Sequence, residues 1–405
     1  MKDFCSLFIA SKENPTGVAF RCGEKELSFS EAEGLVEGLA SKLSQFELGE
    51  RVSVLSRNSV EMVLLIFALQ RLGVSVVLHN TRLTVEDWKA QGELAGVRHC
   101  FASAEFLEAA PFETVLLIPT CSELSQTTCG ELCRTNYQKE AIVIFTSGST
   151  GTGKGVRLSL ENLISNAQAS NLVNDLAAGD CWLVSLPFYH VGGLCIVFRT
   201  ILAGASALIT DSQSAREVFS QLANVSHLSV VPSVLADILD FEGGYQRLSG
   251  LKNILLGGAS ADSQLLEKII KLPVRTSYGM SETSSHICML EKNEVLKPAD
   301  LKTSGNLLQG VEIQISKQDE ICIKSPSVFK GYLGEGERAA DDWFFTGDLG
   351  SIDSKGRVIV EGRKDRTIIS GGENINPKQI EDLALTCGGV REVAVVGVVD
   401  RKSVV

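Results

Sequence analysis

The alternation of short β-branched runs with helical patterns between residues 141 and 278 limits the fold of this chain more than any other feature. Ala141–Phe145 (AIVIF) is typical of a buried strand, and apolar residues then recur at helical spacing at Leu160, Leu163 and Ala167. This order predicts a strand, a loop and a helix in succession. Because strands that alternate with helices pair in parallel, the pattern predicts an α/β fold with mainly parallel sheets.

The same rhythm of strands and helices extends upstream and fills the rest of this region. A helix is predicted at Val60–Leu72, where apolar residues are dense. Further strand candidates, several of them closed by Gly or Pro, are Arg51–Leu55, Val74–Leu78, Cys181–Leu186, Leu228–Val231 and Asn253–Leu256.

The pattern changes after about residue 311. Glu312–Ser316 and Glu320–Lys324 alternate around a short turn, which predicts a hairpin, and Asp341–Asp353 and Arg357–Glu361 continue this antiparallel pattern. We therefore predict a large N-terminal domain, residues 1–364, of mainly parallel α/β subdomains plus a small antiparallel β unit.

A small, apparently truncated α+β C-terminal domain, residues 365–405, is predicted beyond the junction Gly362–Asp365. It contains a Gly-rich loop, a helix that begins near Pro377 and a strand at Val393–Val398.

Charge and composition exclude several classes of partner. The 405 residues include 38 Lys and Arg against 49 Asp and Glu, a net charge of -11 that disfavours nucleic acid. Apolar runs such as Met62–Leu69 are too short to cross a bilayer, so no membrane span is expected, and the start lacks the pattern of a secretory signal. The 11 scattered cysteines contain no Cys-x-x-Cys, which favours reduced thiols in a cytoplasmic protein. These features are compatible with a homo-oligomer.

The strongest local signal is the segment Phe145–Gly155 (FTSGSTGTGKG), directly after the buried strand. Its glycines let the backbone approach a ligand, its hydroxyls can donate hydrogen bonds, and Lys154 supplies a cation, so phosphate is the expected guest. The segment nearly matches a Walker P-loop. Gly155, however, stands where that motif has the Ser or Thr that binds magnesium, which argues against a P-loop NTPase.

Read together with four other segments, this loop resembles the adenylate-forming superfamily of acyl- and aryl-CoA synthetases. The other segments occur in the family's order and span more than half of the chain: Gly257–Ala259, Tyr278–Thr283 (YGMSET), Thr346–Asp348 (TGD) and Gly362–Asn374. The resemblance implies that residues 1–364 are an AMP-binding domain and that 365–405 is part of a mobile domain. It also implies three small molecules: ATP, Mg²⁺ and coenzyme A.

The resemblance implies a role for each motif residue around the nucleotide. Lys154 and Ser281 would act on the phosphates, and Glu282 would ligate magnesium, a hard cation that prefers carboxylate oxygen. The remaining nucleotide contacts would come from the phosphate loop, the adenine pocket and the ribose site: Thr146, Ser147, Gly148, Ser149, Thr150, Gly151, Gly258, Tyr278, Asp348 and Arg363. Asp365 would be the hinge of the small domain, and Gly371 and Gly372 would line the tunnel for coenzyme A.

One branch of the family is indicated for the acid. The segment Ser185–Leu194 (SLPFYHVGGL), with Arg199 and Gly257, resembles the o-succinylbenzoate:CoA ligases of menaquinone biosynthesis. That acid has two carboxylates, so the one that does not react needs its own partner. Arg199 could bond it through two parallel N–H groups, or could simply pack its stem on a helix. His190 is expected either to close the acyl pocket or to be a structural histidine.

The expected reaction is o-succinylbenzoate + ATP + CoA to o-succinylbenzoyl-CoA + AMP + pyrophosphate, through an acyl-adenylate. The family also has a lysine well beyond the hinge that acts in adenylation. This sequence stops before that motif, and neither Lys378 nor Lys402 has a matching context. Three alternatives are an AMP-forming ligase for another aryl or fatty acid, a nucleotide- or acyl-binding protein without full turnover, and a P-loop NTPase.

Overall fold

Parallel sheets that carry helices form the framework of the chain. The computed structural model describes residues 6–124, 126, 136–146, 153–258, 263–291, 297, 299–370, 373–384, 387, 390 and 393–398. The helices in these ranges are α1 Ser6–Glu13, α2 Phe29–Leu43, α3 Val60–Arg71, α4 Val85–Ala95, α5 Leu160–Asn174, α6 Val191–Ala203, α7 Ala215–Gln221, α8 Pro232–Leu239, α9 Gly244–Ser249, α10 Ser263–Ile269 and α11 Pro377–Ala384.

The strands follow the same chain order. They are β1 Val18–Cys22, β2 Lys25–Ser28, β3 Arg51–Leu55, β4 Ser75–Leu78, β5 His99–Ala102, β6 Thr114–Leu117, β7 Glu140–Thr146, β8 Lys154–Ser159, β9 Cys181–Val184, β10 Ser206–Ile209, β11 His227–Val230, β12 Asn253–Leu256, β13 Val274–Met280, β14 Ser285–Met289, β15 Asn306–Leu307, β16 Glu312–Ile315, β17 Glu320–Lys324, β18 Phe344–Ile352, β19 Val358–Arg363, β20 Ile368–Ser370 and β21 Glu373–Ile375.

Two large sheets dominate the described part of the chain. One has six strands in the order β6-β5-β3-β4-β7-β8, and the other has nine in the order β15-β14-β13-β12-β11-β9-β10-β1-β2. The central pairs are parallel, whereas β7·β8, β1·β2, β13·β14 and β14·β15 are antiparallel. The predicted α/β class with mainly parallel sheets is therefore confirmed.

Helices α2, α3, α5 and α6 contribute to one hydrophobic core that also takes side chains from both large sheets. The rings of Phe67 on α3 and Phe198 on α6 lie 5.6 Å apart at its centre. Helix α5 begins at a capping box, in which Ser159 and Asn162 satisfy each other's backbone N–H groups. This shared core fixes the two large sheets relative to each other. It therefore fixes Lys154 on β8 of the six-stranded sheet relative to Tyr278 on β13 of the nine-stranded sheet.

A small antiparallel sheet in the order β16-β17-β18-β19 confirms the change of pattern after residue 311. Strands β20 and β21 then form a separate two-stranded pair, and α11 begins at Pro377 as expected. The predicted strand at Val393–Val398 is wrong, because no strand is formed there. Val396 and Val398 are 76% and 85% exposed, and no described strand pairs with this segment.

The predicted passage from strand through loop to helix at residues 141–167 also needs correction. Strand β8 lies between the loop and α5, antiparallel to β7. Val156 and Leu158 are fully buried on either side of the partly exposed Arg157, and this spacing of two fits a strand better than a helix. The phosphate-type loop therefore closes a hairpin and does not open a helix.

Candidate active site

A cavity of about 930 Å³ lies at the carboxyl ends of β9, β11, β12 and β13. This is the edge where parallel α/β sheets usually bind ligands, because the loops that follow neighbouring strands meet there. The cavity brings together six of the residues predicted from the sequence, which come from five separate segments: His190, Arg199, Gly257, Gly258, Tyr278 and Asp348.

Tyr278 and Arg363 hold the carboxylate of Asp348, which lines the cavity together with Tyr278. The Tyr278 hydroxyl donates a hydrogen bond to Asp348 Oδ2 at 2.6 Å, and Arg363 Nη1 donates to Oδ1 at 3.2 Å. The backbone N–H of Asp348 donates to Thr346 Oγ1 at 3.0 Å, a local bond within β18 beside the carboxylate. Each oxygen keeps a lone pair, so the pair of oxygens can still accept from a diol.

Burial dominates the electrostatics of this pair. Burial raises the pKa of Asp348 above its ordinary value, although the bonds from Tyr278 and Arg363 act in the opposite direction. Burial, with the negative charge of Asp348, also raises the pKa of the Tyr278 hydroxyl. Tyr278 is therefore a neutral donor at neutral pH, with its ring in the cavity wall.

Lys154 and Glu282 both contact Tyr332, one at its ring and the other at its hydroxyl. Tyr332 is a residue that the sequence did not single out. Lys154 Nζ lies 4.8 Å from the centroid of the Tyr332 ring, and the Tyr332 hydroxyl donates to Glu282 Oε1 at 2.9 Å. Glu282 belongs to a 3-10 turn, Ser281–Thr283, directly after Met280, which lines the cavity. Lys154, Glu282 and Tyr332 themselves are not among the residues that line the cavity, and Glu282 follows the lining residue Met280 by two positions.

The segment that carries Tyr332 is attached directly to the hairpin strand β8. Val156 and Tyr332 form an antiparallel bridge, and the Leu333 N–H donates to the Gly155 carbonyl at 2.8 Å. A Cβ at Gly155 would lie 2.5 Å from Leu333 Cδ1, so this position needs glycine. A P-loop has a helix start and a metal-binding hydroxyl here, whereas this chain has strand β8 and Gly155, so the alternative of a P-loop NTPase, which the sequence already argues against, gains no support.

Glu282 is a suitable ligand for magnesium. Protein sites usually hold Mg²⁺ through one or two carboxylates together with phosphate oxygens and water. In the described residues no cluster of three or more His, Cys, Asp or Glu forms a metal cage. A single carboxylate beside a phosphate-binding cation is the arrangement in which the substrate completes the metal's coordination.

Arg199 also lines the cavity and has no exposed surface. Its Nη2 donates to Ser285 Oγ at 2.8 Å and contacts His286 Nδ1 at 3.2 Å and Asn166 Oδ1 at 3.3 Å. Its Nε and Nη1 atoms have no hydrogen-bond partner among the described residues. Burial lowers the pKa of Arg199 to about 10, so the side chain remains a cation at neutral pH.

His190 and the two glycines complete the predicted acyl end. His190 is the N-cap of α6 and packs its ring edge on Tyr189, with centroids 4.8 Å apart. Partial burial and the nearby charge of Arg82 lower the pKa of His190 below its ordinary value. Gly258 has a φ of +83° and a Cβ there would lie 3.2 Å from Val231 Cγ1, while Gly257 lies against Ser277 Oγ.

The structure describes only some of the remaining predicted residues. Ser147, Gly148, Ser149, Thr150, Gly151, Gly371 and Gly372 lie outside the described residues. Thr146 Oγ1 donates to the Lys154 carbonyl at 3.4 Å across the base of the hairpin. Asp365, the predicted hinge, accepts hydrogen bonds from Arg363 Nε and Nη2, each at 3.3 Å. Arg363 also donates to Asp348, so one arginine links the two carboxylates.

Sequence reasoning missed four residues that shape the site: Asn166, Ser285, His286 and Tyr332. Ser285 and His286 follow the Tyr278–Thr283 motif so closely that this proximity was a usable signal. Asn166 and Tyr332 carry no local signal, because they reach the site only through the packing of α5 and the pairing of β8.

No helix in the described part of the chain is long and apolar enough to cross a membrane.

Comparison with known proteins places the fold and the site in a family. The family model described as AMP-binding enzyme matches residues 7–333. A 2-succinylbenzoate–CoA ligase of Bacillus cereus is 34% identical over 413 residues, which cover 96% of this chain and 84% of the relative.

Two solved structures of o-succinylbenzoate CoA synthetase from Bacillus subtilis are similar to nearly all of this chain. The complex with the acyl-adenylate OSB-AMP has a TM-score of 0.87 and 28% identity, and covers 98% of this chain and 86% of that one. The complex with ATP and magnesium ion has a TM-score of 0.84 and 27% identity, with coverage of 98% and 87%. The chain belongs to the AMP-binding enzyme family, in which 2-succinylbenzoate–CoA ligases are among its relatives.

Proposed function

We propose that the chain is an ATP-dependent, AMP-forming ligase that joins o-succinylbenzoate to coenzyme A. One observation carries the proposal: a single cavity is lined both by the hydrogen-bonded pair Tyr278–Asp348 and by the buried cation Arg199. A nucleoside and an acid with a second negative charge would therefore be held in one space. The names of the relatives above agree with this acid.

The nucleotide is assigned to the Tyr278 end. The Tyr278 ring offers adenine a flat apolar face, and Gly258 leaves room for close approach. Asp348 would accept from both ribose hydroxyls, and Arg363 would orient its carboxylate, as it does here at 3.2 Å. Lys154, Ser281 and residues 146–151 would surround the phosphates, with Ser281 donating its hydroxyl to the α-phosphate.

Glu282 would hold magnesium together with phosphate oxygens. The bound ion would neutralise phosphate charge and so lower the barrier to attack by an anion. Within the chain, Tyr332 keeps the Glu282 carboxylate in place through its hydroxyl and supports Lys154 on its ring.

The acid is assigned to the wall formed by His190, Gly257 and Arg199. One carboxylate must face the α-phosphorus, and Arg199 would attract the other. Because Nη2 already contacts three acceptors and the residue has no exposed surface, attraction through charge fits the arrangement better than two-point bonding. His190, with its lowered pKa, would be neutral and close the pocket.

The reaction has two balanced steps. In the first, a carboxylate oxygen bonds to the α-phosphorus while the bond to the β-phosphate oxygen breaks, and pyrophosphate leaves. In the second, the sulfur of coenzyme A bonds to the acyl carbon and loses its proton, and the bond from that carbon to AMP breaks. The chain contributes position and charge through Lys154, Ser281 and Asp348, and no residue of the protein forms a covalent intermediate.

The reaction with coenzyme A is the step in which the C-terminal part of the chain, residues 365–405, would act. We propose that residues 1–364 form the AMP-binding domain, that 365–405 belongs to a mobile domain which turns about Asp365, and that Gly371 and Gly372 line the path of coenzyme A. The Arg363–Asp365 bonds support a link between that turn and nucleotide binding. A cytoplasmic location and a homo-oligomer are part of the same proposal.

The decisive experiment measures exchange of labelled pyrophosphate into ATP, with and without o-succinylbenzoate. We expect exchange that depends on the acid, and AMP formation that depends on coenzyme A. Lys154→Met should lower the exchange at least about a hundredfold, since it removes charge at the transferred phosphorus. Lys42→Met, an exposed lysine on α2, is the matched control.

Two outcomes separate the alternatives. Exchange with another aryl or fatty acid but not with o-succinylbenzoate would reassign the substrate. Tight binding of a non-hydrolysable acyl-AMP analogue without any exchange would identify a binding protein and overturn the ligase proposal.

A further inference from the structure

We propose that Arg199 sits in a shell of neutral acceptors that leaves its charge unneutralised, and that His286 is the positioning residue of this shell. The shell consists of Asn166, Ser285 and His286. It would make the cavity select acids with a second negative charge over acids with one. This inference rests on the proposed function and deepens it.

The contacts of Arg199 are all with uncharged groups. Its Nη2 contacts a serine hydroxyl, an amide oxygen and an imidazole nitrogen, and its guanidinium carbon lies 5.6 Å from the centroid of the Trp182 ring. Among the described residues no Asp or Glu forms an ion pair with it. Its Nε and Nη1 atoms are buried without a partner there. Burying a cation in this way is unfavourable unless another group supplies the missing charge.

The same chain treats another buried arginine in the opposite way. The Arg71 side chain, also without exposed surface, donates to Glu37 Oε2 at 2.7 Å and to Glu33 Oε2 at the interface of α2 and α3. That arginine does not line the cavity and is neutralised by two carboxylates. The contrast indicates that Arg199 is left without a carboxylate because a ligand provides one.

His286 holds the shell together because both of its ring nitrogens are engaged. Since Arg199 can only donate, His286 Nδ1 must accept from it, and Nε2 then carries the proton toward Ser170 Oγ at 3.1 Å. Burial, together with the nearby charge of Arg199, holds the pKa of His286 well below its ordinary value, so the ring is neutral. A neutral acceptor orients the guanidinium without cancelling its charge.

The backbone beside His286 supports a functional role for the shell. Ser284 and Ser285 have φ values of 58° and 128°, which side-chain-bearing residues rarely adopt. Such strained positions persist where the surrounding structure requires them, and here they bring Ser285 Oγ to Arg199.

A matched pair of variants tests the inference. His286→Gln and His286→Glu have nearly the same shape, and both can accept from Arg199, but only Glu adds a carboxylate. Calorimetry would measure the binding of o-succinylbenzoate and of two monocarboxylic analogues, each lacking one of its carboxyl groups. We expect His286→Gln to keep the preference for the dicarboxylic acid. His286→Glu should reduce that preference by roughly tenfold or more, since Arg199 is then neutralised within the protein.

The readings are distinct. If His286→Glu and His286→Gln prefer o-succinylbenzoate over the monocarboxylic analogues to the same degree, the inference is overturned. A variant without a cooperative melting transition would be replaced by the pair Ser285→Asn and Ser285→Asp, for which the same contrast is expected. If the wild-type chain forms AMP with o-succinylbenzoate while both pairs show no contrast, only this inference fails. If the wild-type chain shows no acid-dependent exchange, the proposed function fails.

Discussion

The hydroxyl of Tyr278 donates a hydrogen bond to Asp348 at 2.6 Å, although 70 residues separate the two along the chain. Tyr278 belongs to β13 of the nine-stranded sheet, and Asp348 belongs to β18 of the small antiparallel sheet. The bond therefore joins two sheets at the end of the cavity that we assign to the nucleoside.

Removing the Tyr278 hydroxyl tests the importance of this bond. Tyr278→Phe keeps the ring but leaves Asp348 held by Arg363 alone. We expect adenosine affinity to fall roughly tenfold, because a hydrogen bond to a charged group contributes about 1.5–3 kcal/mol. Calorimetric titration measures the change, and Tyr245→Phe, a half-exposed tyrosine on α9, is the control. Unaltered affinity in Tyr278→Phe would contradict the role given to this bond.

Adenosine binding should also depend on pH through Asp348. Because burial raises the pKa of this carboxyl, protonation begins at a higher pH than for an ordinary aspartate. The protonated acid accepts less well from the ribose hydroxyls, so affinity should fall as the pH falls through that raised pKa. The bond from Tyr278 lowers the pKa, and Tyr278→Phe should therefore move the fall to a still higher pH. Titrations from pH 4 to 7 check both effects, and a flat profile in both proteins would count against them.

Two substitutions at Tyr332 separate its hydroxyl from its ring. Tyr332→Phe loses the bond to Glu282 and keeps the contact with Lys154, whereas Tyr332→Leu loses both. We expect the Phe variant to need a few times more magnesium for half-maximal pyrophosphate exchange, since the carboxylate is less well oriented. The Leu variant should also lose maximal rate, because Lys154 loses its support. Identical behaviour of the two variants would contradict a role for the ring.

Gly258 should matter for binding beyond its effect on folding. Gly258→Ala places a side chain at a φ of +83° and narrows the cavity against Val231, while Gly179→Ala meets a φ of +90° with no atom within 4 Å of the new Cβ. Both variants should lose about 1–2 kcal/mol of the free energy of unfolding, measured in urea. Only Gly258→Ala should weaken adenosine binding. Equal affinity in the two variants would mean that Gly258 does not border the adenine.

Some of the site was readable from local sequence. The alternation of strands and helices predicted the mainly parallel sheets, and β12 begins and ends at the residues expected for it. Tyr278 and Asp348 were predicted because each lies in a short motif that resembles one of the family's motifs, and the structure places them within β13 and β18. The strand at Val393–Val398 was a wrong prediction because apolar, β-branched composition alone does not supply a pairing partner.

Local sequence specifies the kinds of groups available: a cation after a Gly-rich loop, a carboxylate after β13, an aspartate in a Thr-Gly-Asp motif and an arginine on an apolar helix. Which of these groups meet depends on how the chain packs in three dimensions. It attached Tyr332 to Lys154 and Glu282 through a bridge to β8, and it surrounded Arg199 with neutral acceptors from α5 and β14. The physical reason is that hydrogen bonds and charge act over a few ångströms of space, whatever the separation along the chain.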